Sequence, residues 1–286
     1  GLLANPAGAA AGVAGPLRET AAFAAMRSAG IAEWIAATDP EVVGLSDVAD
    51  DELRRTAALG LLDLCRRGEL TDAQVGRGEI VLDGLRYEGA EADLRPVLRE
   101  RGPGCDDVLE CAIELIETWK LSSMSDDLAD LMLDHTAPPQ ARKSAGYALF
   151  KMGTDEAKAK TKPLVAGGAG DDLAELKGLA LRCNWPQNLT IPELLDTLTG
   201  RPKSNFHGAY DGFLWELERS GFNAGGFAAE GLRWAKAHLG RMGDTDPLPR
   251  IAVRVVHHAV DQLDEPGVVA ELVDIMRRCA SAHIDS

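Results

Sequence analysis

The residues of this chain that could do chemistry are few and scattered. His257 and His258 are followed by Asp261. On a helix, His257 and Asp261 would share one face four positions apart, the spacing at which two side chains ligate a metal or exchange a proton. No third ligand stands near them in sequence, so the alternative is an imidazole satisfied at the border of a packed face. Cys105 follows Gly102-Pro103-Gly104 before an expected helix start, where a thiolate would be stabilised. A loop cysteine of no special reactivity is the favoured reading of those residues. Asp244 and Asp246 form a DxD, but Gly243 and Pro247 around them give the composition of a turn that caps a helix. The glycine-rich Gly167-Gly168-Ala169-Gly170 lacks the lysine and the preceding strand of a phosphate loop, and GxSxG is missing. His135, His207, His238 and His283 have no matched partners. These residues predict no reaction centre, no cofactor and no metal.

The elements that would position such residues are helices. Hydrophobic residues make up 45% of the 286 positions and aromatic ones only 5%. Alanine and leucine, strong helix formers, dominate the apolar set. Leu53, Ala57, Leu61, Leu64 and Cys65 recur at the spacing of one buried helix face. The pattern returns in Leu109, Ala112, Ile113 and Ile116, and in Ala141, Ala145, Ala148, Leu149 and Met152. Near the end come Ala252, Val255, Val256, Ala259 and Leu263, then Val269, Leu272, Val273 and Met276. Paired aspartates at 50–51, 106–107, 126–127 and 171–172 precede apolar runs, where carboxylates satisfy first-turn N–H groups and the helix dipole. Thr71 with Gln74 and Thr190 with Glu193 fit the capping box. This punctuation predicts about fourteen helices and no strand. The most strand-like piece, Glu79–Leu85, is read as the end of a helix.

A repeat is visible in the middle. Moving 33 positions along aligns Asp106 with Pro139 and Asp172, Ala112 with Ala145 and Gly178, Leu115 with Ala148 and Leu181, and Trp119 with Met152 and Trp185. Each unit carries a second, shorter helix, at Leu128–Leu133, Ala157–Val165 and Leu194–Leu198. A two-helix unit cannot bury its apolar face alone, so neighbours must stack. The fold expected is all-α, a HEAT-like solenoid of stacked antiparallel helix pairs. Its parts are a flexible or linker segment at 1–15, an N-terminal helical part at 16–104, repeats of about 33 residues at 105–200, and an aromatic-rich C-terminal part at 201–286. The opening glycine suggests a piece of a longer protein or a processed chain.

Half of the chain's Phe, Trp and Tyr residues fall between Phe206 and Trp234. They are read either as a larger core where the stack turns or as a partner pocket, since exposed aromatics anchor interfaces. The candidate binding residues are Trp185, Asn205, Tyr210, Phe213 and Trp215. The net charge of −15 disfavours phosphate backbones and anionic membranes. The basic groups at Lys158, Lys160, Lys162, Arg201 and Lys203 are small and surrounded by acid. No apolar run is long enough for a membrane span. Five dispersed cysteines without CxxC point to a reducing, cytoplasmic setting.

The run from Asp171 to Pro186 (DDLAELKGLALRCNWP) resembles a known family. So do Leu189–Leu195 (LTIPELL), Asn205 with Gly208-Ala209-Tyr210, Phe213-Leu214, Ile35–Val42 (IAATDPEV) and Asp51–Arg55 (DELRR). Together they are similar to the helical region that follows the NTPase core in large bacterial NACHT-type proteins of the STAND class. The resemblance spans about Pro16 to Pro266. It implies a sensor or regulatory surface in signalling or anti-phage defence. The Walker residues are absent, so no catalytic residue carries over. Three functions are expected from these readings: a protein-interaction or sensor scaffold whose partner is a protein or another part of the same polypeptide, an enzyme of lyase or nucleobase-processing type on a HEAT-like frame, or an architectural spacer.

Overall fold

A computed structural model describes residues 12–70, 81–167, 171, 174–200, 208–220, 228–239 and 247–284. The described residues form fifteen α-helices and no extended strand. The chain divides into two compact units, Gly1–Ala157 and Lys158–Ser286, so the boundary falls inside the segment read as one run of repeats.

The first unit holds α1 (Arg18–Ala25), α2 (Ala29–Thr38), α3 (Glu41–Gly44), α4 (Asp51–Arg66), α5 (Ala90–Val97), α6 (Asp106–Thr118), α7 (Ser125–Leu133) and α8 (Pro139–Met152). The short α9 (Asp155–Lys160) crosses the division. The second unit holds α10 (Glu175–Asn184), α11 (Ile191–Thr197), α12 (Ala209–Ser220), α13 (Ala228–His238), α14 (Leu248–Val260) and α15 (Val268–Ile284).

Two of the described α-helix starts carry an N-cap side-chain bond, both at positions expected from the sequence. The Asp50 side chain accepts the Leu53 N–H at 2.9 Å, and Thr190 with Glu193 closes a complete capping box on α11. Asp171 reaches forward to accept the N–H groups of Leu176 (3.1 Å) and Lys177 (2.9 Å). Asp106 and Asp107 sit in the first turn of α6, where their charge favours the positive end of the helix dipole, while the N-cap position is Cys105, whose side chain makes no capping bond. Pro139 opens α8, where its missing N–H costs nothing. The predicted helix end at Glu79–Leu85 is corrected. Its described part is Val81 and Leu82, which belong to no helix, followed by a 3-10 turn, Asp83–Leu85. The second helix predicted at Ala157–Val165 is likewise two pieces, α9 and a 3-10 turn at Lys162–Ala166, because Pro163 cannot donate the N–H an α-helix would need. The Thr71 to Gln74 box lies outside the described residues, as do 1–11 of the predicted linker.

In the first unit α2 packs on α4, α4 on α6 and α6 on α8, with α5 against α6 and α7 against α8. In the second, α10 packs on α12 and α12 on α14, while α11, α13 and α15 pack in turn beside them. The apolar positions predicted for α4 and α6 are all buried, as are Ala141, Ala145, Ala148 and Leu149 of α8. Small residues set the closest approaches. A methyl group on Gly60 of α4 would lie 2.2 Å from the carbonyl oxygen of Ala36 in α2.

Polar links fix the register. Glu110 of α6 accepts from Ser144 of α8 at 2.6 Å, and Glu117 accepts from Lys151; both separations are 34. Two links seven residues apart with one offset require parallel helices with no slip between them. Glu91 with Ser123 (2.9 Å) and Arg95 with Asp127 (3.0 Å) repeat an offset of 32 between α5 and the start of α7. In the second unit, Ala209 N–H donates to Glu175 at 2.6 Å and Arg182 Nε to Glu216 at 3.2 Å, again 34 apart. Lys236 of α13 donates to Glu271 of α15, at 3.2 Å and an offset of 35. Surface pairs of this kind add little stability. Burial of the helix faces holds each unit together, and the pairs select one register among those the apolar faces would tolerate.

One such link gives an acid-sensitive contact. The Asp134 carboxylate accepts from Thr136 Oγ1 (2.7 Å), Thr136 N (2.8 Å) and Arg101 Nη2 (2.6 Å). The Thr136 hydroxyl and the Arg101 guanidinium hold its pKa down to about 2, from an ordinary 3.8. A depressed folded-state pKa stabilises the fold above the unfolded value, and that stability is lost as pH falls through the folded one. Asp134→Asn should therefore be less stable than wild type at pH 7, and the two should converge between pH 4 and pH 2. Urea denaturation across that range measures it, and a pH-independent difference would contradict the assignment.

Candidate functional site

The candidate aromatics converge on one helix, α12, and its attachment to α10. Gly178 makes that attachment possible. A methyl group there would sit 2.0 Å from Tyr210 N and 2.3 Å from Ala209 C, so only glycine lets the two backbones meet. The buried Glu175 carboxylate then accepts the first free N–H of α12, from Ala209.

Tyr210 is 1% exposed. Its hydroxyl donates to the Thr199 carbonyl at 2.7 Å and accepts the Thr199 N–H at 2.8 Å. Lys177 lies over its ring, Nζ 4.6 Å from the centroid, and donates to Thr199 Oγ1 at 3.0 Å. Burial pushes the Lys177 amine below its usual range, and the Asp171 charge partly offsets this. A lysine, a tyrosine and a threonine in contact are the residue types of a proton-transfer site. Here the Tyr210 hydroxyl is engaged by the Thr199 backbone in both directions, and the cluster ties the end of α11 to α12.

Phe213 is also interior, with Leu214 and Leu217, on the inner face of α12. Trp215 points the other way and is 52% exposed. The Arg219 guanidinium stacks 4.4 Å from its ring centroid, one turn on. Glu216 beside it is held by Arg182 of α10. Trp185 is half-buried at the C-terminal end of α10, after the fully buried Asn184. Asn184 Nδ2 donates to Thr161 Oγ1 (3.0 Å) and the Ala180 carbonyl (2.8 Å). Asn205 lies outside the described residues. The structure thus brings Tyr210, Phe213 and Trp215 onto one helix, but only Trp215 faces solvent. Arg182, Glu216 and Arg219 were not singled out in sequence; a 34-residue offset joins Arg182 to Glu216, and Arg219 stands one helical turn after Trp215.

The residues with reactive side chains do not assemble. His257 is exposed, and His258 Nε2 lies 2.8 Å from Gln262 Nε2, its neighbour one turn on. Among the described residues no group of three or more His, Cys, Asp or Glu could hold a metal ion. Cys105 is buried. Cys111 is pushed well up by its hydrogen bond with Cys65 and by burial, which leaves it a packing thiol. Asp244, Asp246 and Gly168–Gly170 lie outside the described residues. A cleft of about 490 Å³ opens between the 3-10 turn Lys162–Ala166 and α11, with Pro163, Val165 and Leu189 in its floor and the Lys162–Glu193 pair (2.7 Å) in its wall. Another, of about 510 Å³, lies where the α1–α2 turn meets the start of α4, with Arg27, Glu33 and Glu52 in its lining. No helix among the described residues is long and apolar enough to cross a membrane. Comparison with the models of known protein families, with curated proteins and with solved structures finds no match.

Proposed function

We propose that the chain is a non-catalytic protein-interaction scaffold, a HEAT-like stack of helix pairs that presents the outer face of α12 to a partner. The observation that carries this reading is Trp215. A tryptophan half in solvent on a helix whose inner face is fully used for packing has no structural need to be there. Arginine stacks on it, and Trp and Arg are the residues most enriched where truncation costs interfaces most. Arg219 over the ring and Arg182 holding Glu216 pre-set the side chains, which lowers the ordering cost of binding.

The offsets of 32 to 35 residues that recur between packed helices support the solenoid part of the proposal, because a repeat array is built from units that contact their neighbours one period away. The resemblance carried by Asp171–Pro186 and Gly208-Ala209-Tyr210 supports placing the scaffold in a larger bacterial signalling or defence NTPase, as its sensor or regulatory segment. Its partner there is a protein or another domain of the same polypeptide. The dispersed cysteines support a cytoplasmic setting.

Parallel affinity capture with wild type, Trp215→Ala and Phe23→Ala tests the surface, Phe23 being another exposed aromatic with an arginine, Arg27, over its ring. A protein held by wild type and by Phe23→Ala, and lost at least about tenfold with Trp215→Ala, is expected; that ratio is the ordinary effect of removing an interface anchor. Equal capture by all three chains, or capture by none, would remove the basis for the reading.

A further inference from the structure

The net charge of the chain is −15, yet the charge left uncompensated around Trp215 is positive. The carboxylates beside that side chain are already engaged. Glu216 is held by Arg182 of α10, and Glu218 by Arg250 of α14 at 3.5 Å. Asp211, one turn before Trp215, is half-buried and engaged as well. Two exposed arginines there have no carboxylate within ion-pair distance among the described residues. Arg219 lays its guanidinium on the Trp215 ring, which leaves its charge without a counter-ion. Arg254 is exposed one turn beyond Arg250, and so on the side of α14 that meets α12.

We propose that the partner of this face presents an acidic segment, with carboxylates on Arg219 and Arg254 and an apolar side chain against Trp215. The inference rests on Trp215 being an interface anchor, and adds the chemistry of what it anchors. The Glu218–Arg250 contact sets α12 and α14 side by side. Arg219 follows Glu218, and Arg254 follows Arg250 by one turn, so the two uncompensated guanidinium groups flank one contact on neighbouring helices. An arginine accepts a carboxylate through two parallel N–H···O bonds, and Arg219 meets it already ordered by its stack. A basic segment finds no such welcome. It would meet only carboxylates that have partners and would have to displace Arg182 or Arg250 to reach them.

The acidity of the rest of the chain does not cancel this local excess. The screening length at physiological salt is about 8 Å, so charges within a turn or two of Trp215 set the field that a docked segment feels. The next exposed carboxylate along that side of α14, Asp261, stands two turns past Arg254, about 10 Å away.

Two end-blocked peptides, Glu-Glu-Leu-Phe-Glu-Glu and its counterpart with glutamine for every glutamate, test it by NMR on the full chain. The readout is the indole N–H resonance of Trp215, identified by its loss in Trp215→Phe. Titration runs up to about 5 mM, the range in which a few exposed contacts bind. The acidic peptide should move that resonance and the glutamine peptide should bind at least about fivefold more weakly, the weight of an exposed ion pair. Arg254→Glu, which leaves the Trp215 stack untouched, should weaken the acidic peptide by at least as much with an unchanged thermal melt. Equal binding of the two peptides at Trp215 would overturn the acidic partner while leaving the anchor itself in place. Indifference to Arg254→Glu would also overturn it, and so would a Trp215 resonance that neither peptide moves; capture by Trp215→Ala then still decides separately whether Trp215 is an anchor.

Discussion

Trp119→Ala should destabilise the protein by about 4 kcal/mol, the upper part of the range for removing a buried aromatic. Trp119 is 1% exposed and is the largest fully buried side chain among the described residues. It ends α6, and its Nε1–H donates to the Leu82 carbonyl at 2.7 Å inside the core. Its ring meets Tyr87 edge-on, with centroids 5.8 Å apart and planes at 77°. Truncation would open a cavity and strip a buried carbonyl of its donor. Trp119→Phe separates the two effects. It keeps most of the ring and loses the N–H, so about 1–2 kcal/mol of cost is expected. Urea denaturation of the three chains, followed by circular dichroism, gives the values. A cost under about 1 kcal/mol for Trp119→Ala, the range of an ordinary surface change, would mean that the 81–87 segment does not lean on this side chain.

Gly178→Ala is the second large effect, about 3 kcal/mol of destabilisation, set by the top of the overpacking range. Alanine is the better helix former, and propensity alone predicts a gain of roughly 0.5–1 kcal/mol. Geometry reverses the sign. The added methyl would stand 2.0 Å from Tyr210 N and 2.3 Å from Ala209 C, both backbone atoms that no rotamer change can move. α12 would have to lift from α10, which draws the Ala209 N–H away from Glu175 and disturbs the Tyr210–Thr199 pair. Gly30→Ala is the control. Nothing lies within 4 Å of a methyl group at that exposed site in α2, so the same substitution should be neutral or mildly stabilising there. Equal effects at the two sites, by thermal melting or denaturant, would contradict the contact between α10 and α12.

The helices were legible in sequence wherever one face alone is apolar. Leu53, Ala57, Leu61, Leu64 and Cys65 predicted the buried face of α4 because Arg54, Arg55 and Asp63 mark the opposite face, and Ala58 and Leu62 only widen the same buried stripe. α15 shows where that reasoning stops. Val269, Leu272, Val273 and Met276 read as its buried face, yet Val269, Val273 and Met276 are exposed and Val268 and Ile275 are buried. Both stripes are apolar, and only the partner helix decides which one turns inward, so periodicity cannot choose. Leu263, read as part of the face of α14, is 49% exposed in the turn beyond its end, past the last helical hydrogen bonds.

The candidate site was legible as a cluster but not as a surface. Tyr210, Phe213 and Trp215 are close in sequence and are of the types that fill cores and interfaces equally well. Steps of three and two residues on a helix send Tyr210 and Phe213 to the interior and Trp215 outward, a distinction that requires knowing where the helix begins. The offset of 34 between Glu175 and Ala209, and between Arg182 and Glu216, was present in sequence as well. It stood one residue away from the 33-residue alignment of the apolar positions. Only contact geometry sets it between the paired helices α10 and α12.

The stacked register is the claim on which the rest stands, and zero-length carbodiimide crosslinking read by mass spectrometry tests it most directly. The reagent joins a lysine to a carboxylate only where the two already touch. Dilute protein should yield Lys151–Glu117 within the first unit, and Lys236–Glu271, Lys236–Asp274 and Lys162–Glu193 within the second. Lysine–carboxylate links dominated by other separations, with Lys151–Glu117 and Lys236–Glu271 both missing, would contradict the stack.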